Sequence, residues 1–318
     1  MNMLQAYDCI MTEMEEVREL FDRELLCDIP LISDLLDHIN KFRGKMLRPM
    51  LVLLSGQVCG GLQPPHRVIA AVLEMVHMAT LVHDDVLDET EIRRRGKTIH
   101  SLHGNETAVM LGDLLISRAF HLCSSLDHPG FSRRIAAAAN TVCEGELMQL
   151  LYRDYYDLEE QRYLDIISRK TAALISCSCY LGAKAADAEE PVCQNLAAYG
   201  THLGIAFQIM DDVVDLTGKE TQAGKTLGTD FQKGKITLPG IHLLRICSPE
   251  QKRTILTWLD RRTPQDYQEY GKILHESGSI DYARQRAKHY IEQAQQELAS
   301  LPAGEAHKLL MELAELVV

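Results

Sequence analysis

The sequence predicts an all-α fold in one domain, and three observations carry that prediction. Apolar residues recur at three- and four-residue spacing almost throughout, the period of a helix that buries one face. No run of alternating β-branched residues lies between Asn-Gly or Asp-Gly turns, so no hairpin is expected. No Ser/Gly/Pro linker or shift of composition divides the 318 residues, a length that fits two average domains or one large helical one. We therefore read residues 1–318 as a single domain.

Glycine and proline set the element boundaries in order. Pro30, Gly44 with Pro49, Gly60-Gly61, Pro64-Pro65, Gly96, Gly104 and Pro129-Gly130 divide the first part of the chain. Pro191, Gly218, Gly234 with Pro239, Pro249, Pro264 and Pro302 divide the rest. About a dozen helices of the ordinary length, roughly 8–20 residues, result. Most show a polar face. Residues 66–83 and 199–210 ("YGTHLGIAFQIM") instead carry small or apolar residues nearly all round, as helices in the middle of a bundle do. Each runs directly into aspartates.

Composition narrows the function. With 46% apolar and 25% charged residues and no low-complexity tract, the chain is globular. A formal net charge of −12 argues against a nucleic-acid partner, since phosphate-backbone binding draws its affinity from Lys and Arg. Any phosphate site must then be local and cation-assisted. The nine cysteines, an odd number without a CxxC, fit neither a disulfide framework nor a zinc ribbon. They read as buried, reduced thiols of a cytoplasmic protein. The N-terminus lacks the basic start and apolar run of a signal peptide. The longest apolar run, Val68 to Val82, is broken by Glu74, His77 and Thr80 and falls short of the roughly 20 residues of a spanning helix.

The aspartates form two clusters of identical spacing, "DDVLD" (Asp84, Asp85, Asp88) and "DDVVD" (Asp211, Asp212, Asp215). On a helix, positions i and i+4 share a face, so Asp84 with Asp88, and Asp211 with Asp215, present carboxylates side by side. Each pair repels itself and opposes the helix dipole unless a cation intervenes. Mg²⁺ is suited to the task, being typically held by one or two carboxylates plus waters and phosphate oxygens. Two such pairs would clamp a Mg²⁺-coated diphosphate. Zinc or iron fits less well, because only His83 adjoins the aspartates. A single cluster would equally suit a solvated helix end paired with the following arginines; the repetition carries the inference.

Basic residues accompany the aspartates. "GKMLRP" sets Lys45 and Arg48 on a turn before an apolar helix with Pro49 at its start, a place suited to anion capture. Arg93 to Arg95 follow the first cluster and offer guanidinium forks to phosphate, or local ion pairs with Glu89 and Glu91. Lys170 and Thr171 open a small-residue helix. Between Gly218 and Pro239, four glycines interleave with Lys219, Lys225, Lys233 and Lys235, the pattern of a mobile phosphate cover or of a solvated surface loop. His100 and His103 lack the partner ligands that zinc requires. His77 lies two helical turns before Asp84, roughly 10 Å along the axis, a core imidazole or a substrate contact.

Taken together, "GKMLRP", "EMVHMATLVHDDVLDE", the arginine pair, "GDLLISRAF", "EGELMQL", "RKTAALI", "GIAFQIMDDVVD", "GKTLGTDFQKGKITLP" and "ESGSIDYARQRA" resemble the trans-isoprenyl diphosphate synthase (polyprenyl synthetase) family over nearly the whole chain. The resemblance implies an isoprenoid-synthase-like helical bundle around a central substrate cavity. It implies Mg²⁺-dependent head-to-tail elongation of an allylic diphosphate by isopentenyl diphosphate, with more than one Mg²⁺ per site. Departure of the allylic diphosphate would leave a carbocation for the isopentenyl double bond to attack, and the released pyrophosphate would take the proton. No side-chain nucleophile is needed, and the sequence shows no Ser/His/Asp or Cys/His arrangement.

Carried over by motif, Asp84, Asp88 and Asp211 would bind Mg²⁺, with Asp85, Asp212 and Asp215 supporting them directly or through water and Asp215 counted in the metal set. Lys45, Arg48, His77 and Arg94 would hold isopentenyl diphosphate. Arg93, Lys170, Lys225 and Lys235 would grip the allylic diphosphate, with Thr171 and Gln208 steadying it. The family usually writes Arg-Arg-Gly-Lys-Pro-Thr where this chain has "RRRGKT". An ungapped match makes Arg93 and Arg94 the pair with Thr98 in place; a one-residue insertion makes it Arg94 and Arg95. The resemblance also implies a homodimer.

Product length follows from the helix before Asp84, where each turn of about 5.4 Å offers a floor. Ala79 and Thr80 stand where short-chain members commonly carry an aromatic, which leaves the tunnel open. Bulk first appears deeper, at Met75, Val76 or Val72, opposite Leu114 to Phe120. The expected product is medium to long and all-trans, on the order of C30 to C40. The alternatives are a short-chain geranylgeranyl or farnesyl diphosphate synthase, a class I terpene cyclase, which rarely repeats DDxxD, and a regulatory subunit of a heteromeric synthase, which typically loses these ligands.

Overall fold

Helices begin where proline stands. Pro30, Pro64, Pro129, Pro249 and Pro264 each occupy the first position of an α-helix, and Pro191 and Pro239 the second, where the missing N–H needs no partner and the fixed φ suits the first turn. The computed structural model describes residues 9–41, 43–94, 96–218 and 227–318, and most of them are helical. In chain order come α1 (Met11–Glu24), α2 (Pro30–Lys41), α3 (Leu47–Val58) and α4 (Pro64–Leu87). A small hairpin follows, β1 (Ile92–Arg93) and β2 (Gly96–Lys97), then α5 (Ile99–His103), α6 (Asn105–Cys123) and α7 (Pro129–Leu151). Next are α8 (Glu160–Ile167), a π-helical turn (Ser168–Ala172), α9 (Ala173–Ala185) and α10 (Glu190–Thr217). The chain closes with α11 (Thr229–Gln232), α12 (Leu238–Ile246), α13 (Pro249–Arg261), α14 (Pro264–Glu276), α15 (Ser279–Glu297) and α16 (Glu305–Glu315).

The all-α class is as expected, with local differences. α4, α7 and α10 run 24, 23 and 28 residues, longer than the expected range; Asp84 and Asp85 lie in the last turn of α4, and Asp211 to Asp215 within the last turns of α10. The antiparallel hairpin, register Ile92↔Lys97 and Arg93↔Gly96, was not expected; two residues per strand are too few to show alternation. α3 begins two residues before Pro49, so Arg48 lies inside its first turn and not ahead of it. Of the nine cysteines, all free, only Cys123, Cys177, Cys179 and Cys193 are buried. Among the described residues, no helix is long and apolar enough to cross a membrane.

Contacts gather the chain into two compact units, each discontinuous in sequence. One is built from the chain up to Asn140, Leu174–Gly200 and Gln295–Leu313; the other from Thr141–Ala173, Thr201–Ala294 and Ala314–Val318. In the first, α4 packs against α1, α3, α5 and α6, and Ile69 to Met75 are wholly enclosed, as an all-round apolar helix demands. In the second, Ile205, Ala206, Ile209 and Val213 of α10 are buried, as are Tyr163, Leu164, Ile166 and Ile167 of α8.

Candidate active site

The first aspartate cluster ends α4. Asp84 and Asp85 are within the helix and Asp88 caps it, its N–H still bonded to the Asp84 carbonyl at 2.8 Å, so the one-turn spacing of Asp84 and Asp88 survives. Both are half-buried. Asp85 turns to a different face and accepts from Arg93 Nε at 2.7 Å. Burial raises the Asp85 carboxyl above its ordinary range, while the Arg93 charge opposes that.

The hairpin presents the arginines. Arg94 sits at its turn with φ 50°, the left-handed conformation that two-residue hairpin turns require. Thr98 locks the exit: its hydroxyl donates to the Thr90 carbonyl at 2.7 Å and accepts from Ser101 N–H at the start of α5. The Arg94 guanidinium then lies against Gly44, where any Cβ would collide with it. That is the physical reason for glycine in "GKMLRP". Lys45 is exposed, and Met46, at φ 53°, turns the chain into α3.

Beside Arg94 is a pocket whose lining includes Glu74, His77, Leu81, Asp85, Arg93 and Thr98. Burial brings the Arg48 guanidinium down to about 10, with Glu74 opposing the change and Arg94 adding to it. Glu74, only 4% exposed, is raised by burial and lowered by Arg48, Arg94 and Arg43. Burial first, then Arg48, Arg94 and Arg93, holds His77 well below the ordinary imidazole range. The pocket thus sets the half-buried Arg93 and exposed Arg94 guanidinium groups beside one neutral imidazole, an arrangement suited to a diphosphate.

The second cluster belongs to the other unit. α8 widens into the π-turn that holds Lys170 and Thr171, an irregularity frequent at functional sites. The turn fits because a Cβ on Gly145 of α7 would strike the Lys170 backbone and one on Gly204 of α10 would strike Ala172. Lys170 pairs with Glu146. With the Gln149 amide assigned so that its oxygen faces both ammonium groups, that oxygen accepts from Lys170 at 3.2 Å and Lys235 at 3.0 Å. Thr171 Oγ1 donates to Gln208 Oε1 at 2.7 Å, and Gln208 Nε2 donates to Asp212 Oδ1 at 2.8 Å. Tyr163 donates its phenol to Asp212 Oδ2 at 2.6 Å. Burial, then the charge of Asp230, drives the Asp212 carboxyl well above its ordinary range.

Asp211 is half-buried. Asp215 is 1% exposed and accepts from Thr229 Oγ1 at 3.1 Å and Asp230 N–H at 3.3 Å. It thus anchors the turn leading to Lys235. Lys219, Lys225 and Arg95 lie outside the described residues. In the expected product wall, Ala79, Met75 and Val76 are buried, while Thr80 is half-buried and donates to the His77 carbonyl at 2.8 Å.

The site residues that sequence reading passed over are Glu74, Tyr163, Glu146, Gln149 and Asp230. Glu74 stands three residues before His77, and Glu146 three before Gln149, a spacing that puts each pair on one helical face. Tyr163 and Asp230 carried no such signal. Among the described residues, no three His, Cys, Asp or Glu side chains group as a ready-made metal cage. Hard carboxylates with remaining surface at Asp84, Asp88 and Asp211 nevertheless fit Mg²⁺, whose other ligands are water and substrate phosphate.

Comparison with known proteins agrees with this chemistry. The Polyprenyl synthetase family model matches residues 29–276. The chain is 32% identical over 319 residues to octaprenyl diphosphate synthase of Escherichia coli (strain K12), covering 100% of this chain and 99% of that protein. It is 31% identical to heptaprenyl diphosphate synthase component 2 of Bacillus subtilis (strain 168), covering 100% and 90%. Among solved structures, the polyprenyl synthase from Caulobacter crescentus CB15, complexed with calcium and isoprenyl diphosphate, matches with a TM-score of 0.95 at 30% identity, over 99% of this chain and 97% of that one.

Proposed function

Since the chain belongs to the polyprenyl synthetase family and is a prenyltransferase, we propose that it is a Mg²⁺-dependent enzyme condensing isopentenyl diphosphate with an allylic diphosphate such as farnesyl diphosphate. Its product is a medium-to-long all-trans polyprenyl diphosphate, about C30 to C40 by turn counting. The observation that carries this reading is that each aspartate cluster has its own set of basic groups: Arg48, Arg93 and Arg94 with the first, Lys170 and Lys235 with the second. We also read residues 1–318 as one domain, a homodimer and a protein of the cytoplasm, the compartment that nine free thiols suit.

In this reading Asp84, Asp88 and Asp211 hold Mg²⁺, which when bound offsets the charge of the departing diphosphate. Lys45, Arg48, His77 and Arg94 bind isopentenyl diphosphate. His77, kept neutral by burial and three arginines, contributes hydrogen bonding without adding a charge. Arg93, Lys170, Lys225 and Lys235 bind the allylic diphosphate, and the Thr171–Gln208 pair fixes the floor beneath it. Asp85 keeps Arg93 in place; Asp212 and Asp215 fix α10 and the turn after it.

Incubating the purified chain with farnesyl diphosphate, labelled isopentenyl diphosphate and Mg²⁺ tests the proposal. Products of about C30 to C40 support it, and a C20 stop makes the enzyme short-chain. Hydrocarbon release without isopentenyl diphosphate points to a cyclase. The "component 2" relative favours one further reading, a chain that elongates only with a partner subunit; absence of any product would support that.

A further inference from the structure

We propose that Tyr163 is a positioning residue for the second aspartate cluster: with Gln208 it clamps Asp212 as the anchor of α10, and so sets the direction in which Asp211 is presented. This inference rests on the metal-dependent reading above. Four side chains from α8, the π-turn and α10 form an unbroken sequence of hydrogen bonds, Thr171 to Gln208 at 2.7 Å, Gln208 to Asp212 at 2.8 Å and Tyr163 to Asp212 at 2.6 Å. The two Asp212 oxygens are taken separately, Oδ2 by the phenol and Oδ1 by the amide. Each oxygen keeps a second lone pair. With Asp212 5% and Tyr163 4% exposed, however, this carboxyl is set back from the water that a Mg²⁺ ion keeps around it.

The clamp acts on α10 as a rigid rod. Successive helical residues point about 100° apart, so holding Asp212 between two donors also fixes where Asp211, one position earlier and half-buried, directs its carboxylate. Two donors from different elements that converge on one buried carboxyl group fix its orientation. Removing the phenol would leave a buried carboxylate oxygen unsatisfied, and Asp212 would turn or draw in water, taking the register of α10 with it. Tyr163 itself reaches neither aspartate's exposed side; its influence passes through Asp212.

The test uses the full chain as Tyr163→Phe, Asp212→Asn and the double variant. Calorimetry with Mg²⁺ and inorganic diphosphate measures binding independently of turnover; steady-state elongation measures KM for each substrate and the Mg²⁺ concentration for half-maximal rate. Tyr163→Phe is expected to raise the Mg²⁺ half-saturation and allylic KM by about 10- to 100-fold, the usual effect of losing an outer-shell partner. The isopentenyl KM should stay within about twofold of wild type, and the double variant should be no worse than Asp212→Asn alone. Unchanged Mg²⁺ dependence in Tyr163→Phe, or additive losses in the double variant, would overturn the proposal. If Tyr163→Phe does not fold, Thr171→Val is measured instead, and unchanged Mg²⁺ dependence there has the same meaning. Wild-type protein that neither elongates nor binds Mg²⁺ with diphosphate removes the underlying reading and this inference with it. Wild-type elongation indifferent to Tyr163 removes this inference alone.

Discussion

Glu74 is enclosed with the charges of Arg48, Arg94 and Arg43 acting on it, so its removal would take a buried counter-charge from guanidinium groups that are themselves half-buried or exposed. Losing a charge interaction with groups that remain partly open to water costs about 1 kcal/mol. Glu74→Gln should therefore lower urea stability by up to that amount, and added inorganic diphosphate should restore part of it by supplying the missing anion. An unaltered midpoint would show that Glu74 does not balance these charges. His77 gives a second expectation with the sign fixed by its environment. Its folded pKa lies well below the ordinary value because of burial and then Arg48, Arg94 and Arg93. As pH falls below about 6.5 the unfolded chain takes up a proton that the folded chain refuses. The His77 contribution is thus complete above that pH and lost below it, by at most about 1.4 kcal/mol per pH unit. The stability of wild type relative to His77→Gln should shrink between pH 7.5 and 5.5; a constant difference across that range would contradict a neutral, buried His77.

Gly44 joins two segments that are far apart in sequence, and it does so by having no side chain where the Arg94 guanidinium lies. Gly44→Ala should displace Arg94 and raise the isopentenyl KM by about tenfold or more, the equivalent of roughly one charge-assisted hydrogen bond, while the allylic KM stays unchanged. Equal increases in both would show a general disturbance of the fold. On α4, Ala79→Tyr is expected to shorten the product, measured by chromatography, at a stability loss of about 1–3 kcal/mol from overpacking, because Ala79 is fully enclosed. Product of wild-type length from the folded variant would eliminate α4 as the tunnel wall. These elements differ in how far the sequence revealed them. α4 and α10 were legible because all-round apolarity and repeated aspartates are properties of the residues themselves. The π-turn was not, since "SRKTA" reads as ordinary helix and widens only where Gly145 and Gly204 admit its backbone. The arginine hairpin was hidden by its brevity, and the anchoring role of Asp215 by partners, Thr229 and Asp230, that lie 14 and 15 positions away.

Each compact unit contributes one aspartate cluster and its own basic groups, and the segments of the two units alternate along the chain. Neither unit is a continuous piece of the chain. On the homodimer reading, one surface of the first unit is the expected contact. Along α6, Val109, Met110 and Phe120 are 41%, 65% and 50% exposed, and with Asp113 and Ser117 they recur at the spacing of one helical face. Large apolar side chains aligned on a helix and left open to water usually mark an interface, and a second copy of the chain meeting the same face about a two-fold axis would cover them on both sides at once. Light scattering after gel filtration should accordingly give twice the chain mass for wild type. Met110→Glu combined with Phe120→Glu sets like charges against one another across such an axis and should yield monomers at micromolar concentration, with helical content preserved by circular dichroism. A wild-type monomer, or a dimer indifferent to both glutamates, would move the contact elsewhere. If the monomeric variant also loses elongation although none of the proposed ligands has been changed, the active geometry of α4, which packs on α6, depends on the second copy.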